Sequence, residues 1–200
     1  MTKTGTACLT WILCALLHTT TSVGADEWHI DKKSDNAVTF TSEVVTFSFE
    51  GTTDKVDGYI YWEGPGLFEG KPQVFFQVEV NGFDTGVGKR DHDLRDVLAT
   101  KKHPFTSYKG IITSHVAITD SQGVVTGHRV ATRGTLALHG VERSVEIPGL
   151  IRLADSSATL HAEFSLQLAD HDIEAPSLVA FVKVSEQIDI AVDLSLHRIK

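Results

Sequence analysis

Ile188-Asp189-Ile190-Ala191-Val192-Asp193-Leu194-Ser195-Leu196-His197 places Ile188, Ile190, Val192, Leu194 and Leu196 at every second position, with Asp189, Asp193, Ser195 and His197 between them. Successive side chains of an extended chain point to opposite sides, so this is a strand with one apolar and one polar face. The pattern also sets the register, because a slip of one residue would turn every aliphatic group into water. Leu160, Ala162, Phe164, Leu166 and Leu168 repeat it against His161, Glu163, Ser165 and Gln167. Val74, Phe76, Val78 and Val80 repeat it against Gln73, Gln77 and Glu79.

Weaker alternation predicts further strands over Trp28–Lys32, Ala37–Thr41, Val44–Glu50, Val56–Glu63, Phe105–Asp120, Val124–Leu138 and Ser144–Leu153. Turn chemistry separates them at Gly64-Pro65-Gly66, Asp120-Ser121-Gln122-Gly123, His139-Gly140 and Ala154-Asp155-Ser156-Ser157. Many one-faced strands without repeated helices predict an all-β antiparallel sheet. Closing it into a barrel removes the exposed edges and puts the apolar face inside. Residues 82–104 break the alternation. Val87, Leu94, Val97 and Leu98 approach helical spacing, and Asp91 or Asp93 suits a helix N-terminus. The expectation is a loop, a short helix from about 91 to 99, and a new strand entered at Pro104. No repeat or linker interrupts the chain, so residues 26–200 read as one domain.

The N-terminus reads as an export signal. Lys3 precedes an apolar run from Ala7 to Leu17, and Val23-Gly24-Ala25 fits a small-x-small cleavage site, so cleavage is expected after Ala25. The run is too short to span a bilayer as a helix, which takes about 20 residues. Cys8 and Cys14 both lie in the segment removed, leaving a mature chain without thiols, disulfides or cysteine metal sites. The formal net charge of −8 and the absence of a basic run argue against nucleic acid as a partner.

Residues that could do chemistry are few. There is no Gly-x-Ser-x-Gly elbow, no mature cysteine and no Gly-rich phosphate loop, so no catalytic residue is assigned. Asp91-His92-Asp93 and Asp170-His171-Asp172 carry ligand types suited to zinc or manganese. Neighbours in an extended chain point apart, so the two triplets would have to meet in space, and no metal is assigned. A metal-dependent hydrolase or metal buffer using His92 and His171 is the rival reading. Asp91 and Arg95 are spaced for an ion pair across one helical turn, while Arg90, Asp91 and Arg95 are candidates for a polar ligand head.

The residues of this loop resemble those of the YceI family: Asp84-Thr85-Gly86, then Arg90-Asp91-His92-Asp93-Leu94-Arg95, then His103-Pro104-Phe105-Thr106. The resemblance extends to Phe49-Glu50-Gly51, Val56-Asp57-Gly58, and Arg133-Gly134-Thr135-Leu136-Ala137-Leu138-His139-Gly140-Val141-Glu142-Arg143. It also takes in Val182-Lys183-Val184 before the long last strand. It departs at His103, where the family often has an aromatic residue, and at Asp170-His171-Asp172. The resemblance implies an eight-stranded, lipocalin-like antiparallel barrel with a short helical lid. It further implies a non-catalytic, periplasmic protein that binds, stores or carries a long apolar chain: an isoprenoid quinone, a polyprenyl lipid or a fatty amide. No cofactor other than that lipid is implied. Transient contact with a membrane or quinone-linked membrane proteins, and a homodimer, are further expectations from the family.

A barrel of eight strands has room either for its own side chains or for one small ligand. The inward set expected here mixes large Phe76, Tyr108, Phe164 and Leu166 with small Thr106, Gly110 and Ala162. The expected tunnel is lined by Phe76, Val78, Tyr108, Ile112, Leu136, Phe164, Leu166 and Ile190, with Phe83, Val87, Leu94 and Leu98 as its lid. At about 0.8 kcal/mol per buried CH₂, ten methylenes would give roughly 8 kcal/mol before ordering costs. The remaining alternative is a structural or interaction module whose barrel is filled by its own side chains.

Overall fold

The computed structural model describes residues 24–44, 47–179 and 182–199. The predicted export signal, with Cys8 and Cys14, lies almost wholly outside the described residues, and the predicted cleavage site is reached only at Gly24 and Ala25.

The strands are β1 (Ala25–Ile30), β2 (Ala37–Val44), β3 (Phe47–Thr53), β4 (Val56–Glu63), β5 (Gln73–Glu79), β6 (Phe105–Thr119), β7 (Val125–Leu138), β8 (Val141–Leu153), β9 (Ser157–Gln167), β10 (Ser177–Val179) and β11 (Val182–Arg198). Every pairing between them is antiparallel. The sheet order is β1-β4-β5-β6-β7-β8-β9-β11-β2-β3, and β1 also pairs with β11. That last pairing closes the ring. β1 and β2 lie end to end along the same edge of β11, β1 against Leu196–Arg198 and β2 against Val184–Asp193. Their partners β4 and β3 are joined only by Asp54 and Lys55. The result is an eight-stave barrel: β1 with β2, β3 with β4, then β5, β6, β7, β8, β9 and β11. β10 is a short appendage on β11.

The strand read first behaves as its pattern requires. Ile188, Leu194 and Leu196 are buried, while Asp189 pairs across to Ser165 and Asp193 to His161 on the outer face. Its length lets it pair with β1, β2 and β9 and carry the short β10 as well. Several predicted boundaries move. β2 runs on to Val44, and β3 begins at Phe47, which pairs directly with it. β8 begins at Val141, because His139 (φ 54°) and Gly140 (φ 79°) make a two-residue hairpin turn, both residues left-handed.

The helix, α1, spans Gly88–Val97 rather than 91–99. Its start is set by a side-chain tether instead of an N-cap. Val87 occupies the cap position without a capping bond, and Asp91 in the first turn reaches back to Thr85. Gly86, at φ 75°, supplies the left-handed turn between them. A 3-10 turn over Val80–Gly82 leads into this segment, and another over Leu168–His171 lies at the same end of the barrel.

Candidate functional site

The barrel has two unlike ends. At one, the β4–β5 loop folds Phe68 under the staves, where it meets Trp62 at 5.0 Å and the rings of His115 and His128 at 5.5 and 6.4 Å. Trp28 and Trp62 are both buried in the core cluster. This layer closes the barrel. At the other end lie α1, the two 3-10 turns and the β2–β3 hairpin.

Between the ends is a cavity of about 630 Å³, within the roughly 300–1,000 Å³ usual for ligand sites. Its deep end is bounded by buried Val74, Ile112, Val130, Ile151 and Leu194. Its mouth is edged by Phe47 and Val87, each about half exposed at 49% and 48%. The interior is therefore not filled by the protein's own side chains. Small groups contribute to the space, as Ala162, Gly149 and Thr106 face it.

The structure brings every predicted apolar tunnel and lid residue to this cavity: Phe76, Val78, Tyr108, Ile112, Leu136, Phe164, Leu166 and Ile190 on the staves, with Phe83, Val87, Leu94 and Leu98 from the lid. Leu94, Val97 and Leu98 pack on the core from α1, so the lid is anchored by the face it presents inward. Gly110 does not open space as expected. It opposes Gly134 on β7, and an added Cβ would strike the Tyr108 hydroxyl from Gly110 or the Tyr108 ring from Gly134, so the glycine pair makes room for that phenol. Tyr108 Oη shares a hydrogen bond with Thr132 Oγ1 at 2.8 Å, and burial pushes its pKa up.

The polar candidates separate. Arg90 lines the cavity, stacks its guanidinium over Phe49 at 4.6 Å and donates to the Thr85 carbonyl at 2.6 Å. Asp91 is buried and does not line the cavity. It accepts from the Thr85 N–H at 2.9 Å and the Thr85 hydroxyl at 2.5 Å, which hold its carboxyl below the usual carboxylate range, with Arg95 and Arg90 adding charge. The expected Asp91–Arg95 ion pair is not formed, since both Thr85 donors have already turned the carboxylate toward the loop. Arg95 does not reach the cavity. Lys89 and Asp93 stand at the mouth and approach each other at 3.4 Å.

Sequence reasoning missed Ser42. It lies on β2, only 1% exposed, and lines the cavity with its hydroxyl unpartnered among the described residues. The alternation of Val38, Phe40 and Val44 with Thr39, Thr41 and Glu43 carried the signal, because it makes Ser42 a polar interloper on an inward face.

The two Asp-His-Asp triplets do not converge. His92 is exposed on α1 and approaches Asp96 at 3.5 Å, whereas His171 is buried with Nδ1 3.3 Å from the Val141 carbonyl. Among the described residues no group of three His, Cys, Asp or Glu is placed to hold a metal. His103, where the resemblance departs, packs on Gly140 and lies 5.4 Å from the His139 ring.

The sequence matches the family model for the YceI-like domain over residues 28–196. Solved structures share the fold. One is a polyisoprenoid binding domain from Saccharophagus degradans implicated in plant cell wall breakdown, with TM-score 0.65, 17% identity, and coverage of 85% of this chain and 97% of that one. Another is BcnA from Burkholderia cenocepacia, with TM-score 0.64, 15% identity, and coverage of 83% and 98%. No curated protein matches the chain.

Proposed function

The chain belongs to the YceI family, and on that premise we propose that it binds one long apolar chain inside the barrel, as a carrier or store and without catalysing a reaction. The observation that carries this reading is the cavity, open at the lid and apolar along its length. A hydrocarbon or isoprenoid chain gains about 0.8 kcal/mol per CH₂ withdrawn from water. Affinity then needs few polar contacts, and the closed end limits how far the chain can enter. The name of the Saccharophagus degradans relative, a polyisoprenoid binding domain, supports an isoprenoid as one class of ligand. The export signal read over residues 1–25 supports a periplasmic carrier between membranes.

Native mass spectrometry of protein purified from its host tests the reading. A population heavier than the polypeptide, stripped by organic extraction to release a lipid, is the expected result. Protein of bare polypeptide mass that takes up neither prenyl nor acyl chains from added micelles would overturn it. Amino-terminal sequencing of the same material should begin at Asp26.

A further inference from the structure

The mouth of the cavity carries two polar groups that the fold itself leaves unused. Ser42 Oγ is buried in an aliphatic wall, and Arg90 Nε is buried on the lid; neither has a hydrogen-bond partner among the described residues. Both residues line the cavity. They are brought to one place by Phe49. Ser42 stands directly opposite Phe49 across β2 and β3, and the Arg90 guanidinium sits over the Phe49 ring. Opposed side chains on neighbouring strands have Cβ atoms about 5 Å apart. A buried polar group left without a hydrogen bond costs free energy, so each of these two calls for a partner, and both face the cavity where a ligand head can supply it.

The charges around them narrow the choice. Lys89 faces Asp93, and His92 faces Asp96. The nearest carboxylate in sequence, Asp91, is engaged by both Thr85 donors and forms no ion pair with Arg90. Arg90 thus brings a positive charge to an apolar cavity without a carboxylate in contact. Buried or half-buried charges are ordinarily paired. A guanidinium edge is suited to a planar pair of oxygens. A phosphate ester would bring up to two negative charges to one guanidinium, whose Nη2 already donates to the Thr85 carbonyl and whose buried Nε is free of a partner among the described residues.

We propose that the ligand is a long-chain carboxylate, its two oxygens received by the Arg90 guanidinium edge and the Ser42 hydroxyl while its tail fills the barrel. This rests on the cavity being a chain-binding tunnel. The head site selects the terminus, and the tunnel accepts the chain.

Calorimetric titration of the delipidated full chain with palmitate, hexadecanol, hexadecanamide and hexadecyl phosphate tests it, because all four share one tail. Palmitate is expected to bind at least ~10-fold tighter than hexadecanol and tighter than the other two. Arg90→Gln should erase most of that ratio. Ser42→Ala, which leaves every lid contact in place, should reduce it several-fold. Equal affinity for palmitate and hexadecanol would overturn the carboxylate site while leaving the tunnel intact. Preference for the amide or the phosphate would overturn it too, as would a Ser42→Ala protein with an undiminished ratio. Failure of all four to bind would overturn the tunnel reading together with the head site.

Discussion

Gly110 on β6 and Gly134 on β7 oppose one another in the barrel wall, and the Tyr108 ring fills the space their side chains would take. A Cβ at Gly134 would lie 2.6 Å from the Gly110 Cα and 2.8 Å from Tyr108 Cζ. A Cβ at Gly110 would lie 2.7 Å from the Arg133 carbonyl oxygen. Backbone cannot yield as a flexible side chain can. Gly134→Ala should therefore cost about 1–3 kcal/mol, the usual penalty of overpacking. It should also break the Tyr108–Thr132 hydrogen bond. A lowered urea midpoint with an unchanged slope would show this; an unchanged midpoint would mean that the ring has other room.

Thr85 and Asp91 fasten the lid, and this fastening depends on pH. The Asp91 carboxyl is depressed chiefly by the Thr85 hydroxyl and then by the Thr85 N–H. A carboxylate whose folded pKa lies below its unfolded value stabilises the fold fully above the unfolded pKa. That contribution is lost as pH falls through the folded pKa. Asp91→Asn should thus loosen α1 at neutral pH, and the gap between variant and parent should shrink below the ordinary carboxylate range. Hydrogen exchange in residues 86–98 measured at neutral and acid pH checks the sign. A gap that grew on acidification would exclude it.

The parts of this fold that were legible in the sequence were those governed by period two. Ile188 to Leu196 and Leu160 to Leu168 declared their inward faces, and the tunnel residues on them reached the cavity. What periodicity could not convey was tertiary. Gly110 read as a small inward residue, but its space is consumed by Tyr108, a neighbour on the same strand. Arg95 was spaced to meet Asp91, but Thr85 competes from outside the helix and wins with two donors. The start of α1 was missed for the same reason, since a tether to Thr85 does the work of a cap. Alternation along β2 put Ser42 on the inward face, but what its hydroxyl could meet there depends on the opposing strand and the lid.

His128 makes the closed end of the barrel sensitive to acid. Its ring lies against the Phe68 layer, its Nδ1 is buried without a hydrogen-bond partner among the described residues, and burial first, then His115, depresses its pKa. A histidine with a depressed folded pKa favours the fold above its unfolded value, near 6.5, and this advantage disappears as pH falls. His161 runs the other way. Its hydrogen bond to Asp193 raises its pKa, so its contribution is present in acid and is lost as pH rises through the folded value. Replacing His128 by Gln should flatten the loss of stability below about pH 6.5. Replacing His161 by Gln should weaken the protein mainly below the raised pKa. Thermal melts of both variants across pH 5 to 8 would separate the two signs, and parallel curves would refute the assignment.

Ala162 offers the most direct test of an empty interior. It lies on β9 opposite Val192, faces the cavity, and is 8% exposed. Ala162→Leu adds three carbons to that face. If they enter free space, the burial gain is about 0.8 kcal/mol per added carbon, or roughly 2 kcal/mol in all. The melting temperature of the lipid-free protein should then rise by several degrees. The same carbons occupy volume that a ligand tail needs, so chain binding should weaken while stability increases. A filled core answers with the opposite sign, because overpacking costs about 1–3 kcal/mol. Differential scanning calorimetry paired with lipid titration reads both quantities on one preparation. A destabilised variant with unimpaired lipid uptake would be incompatible with Ala162 facing the ligand.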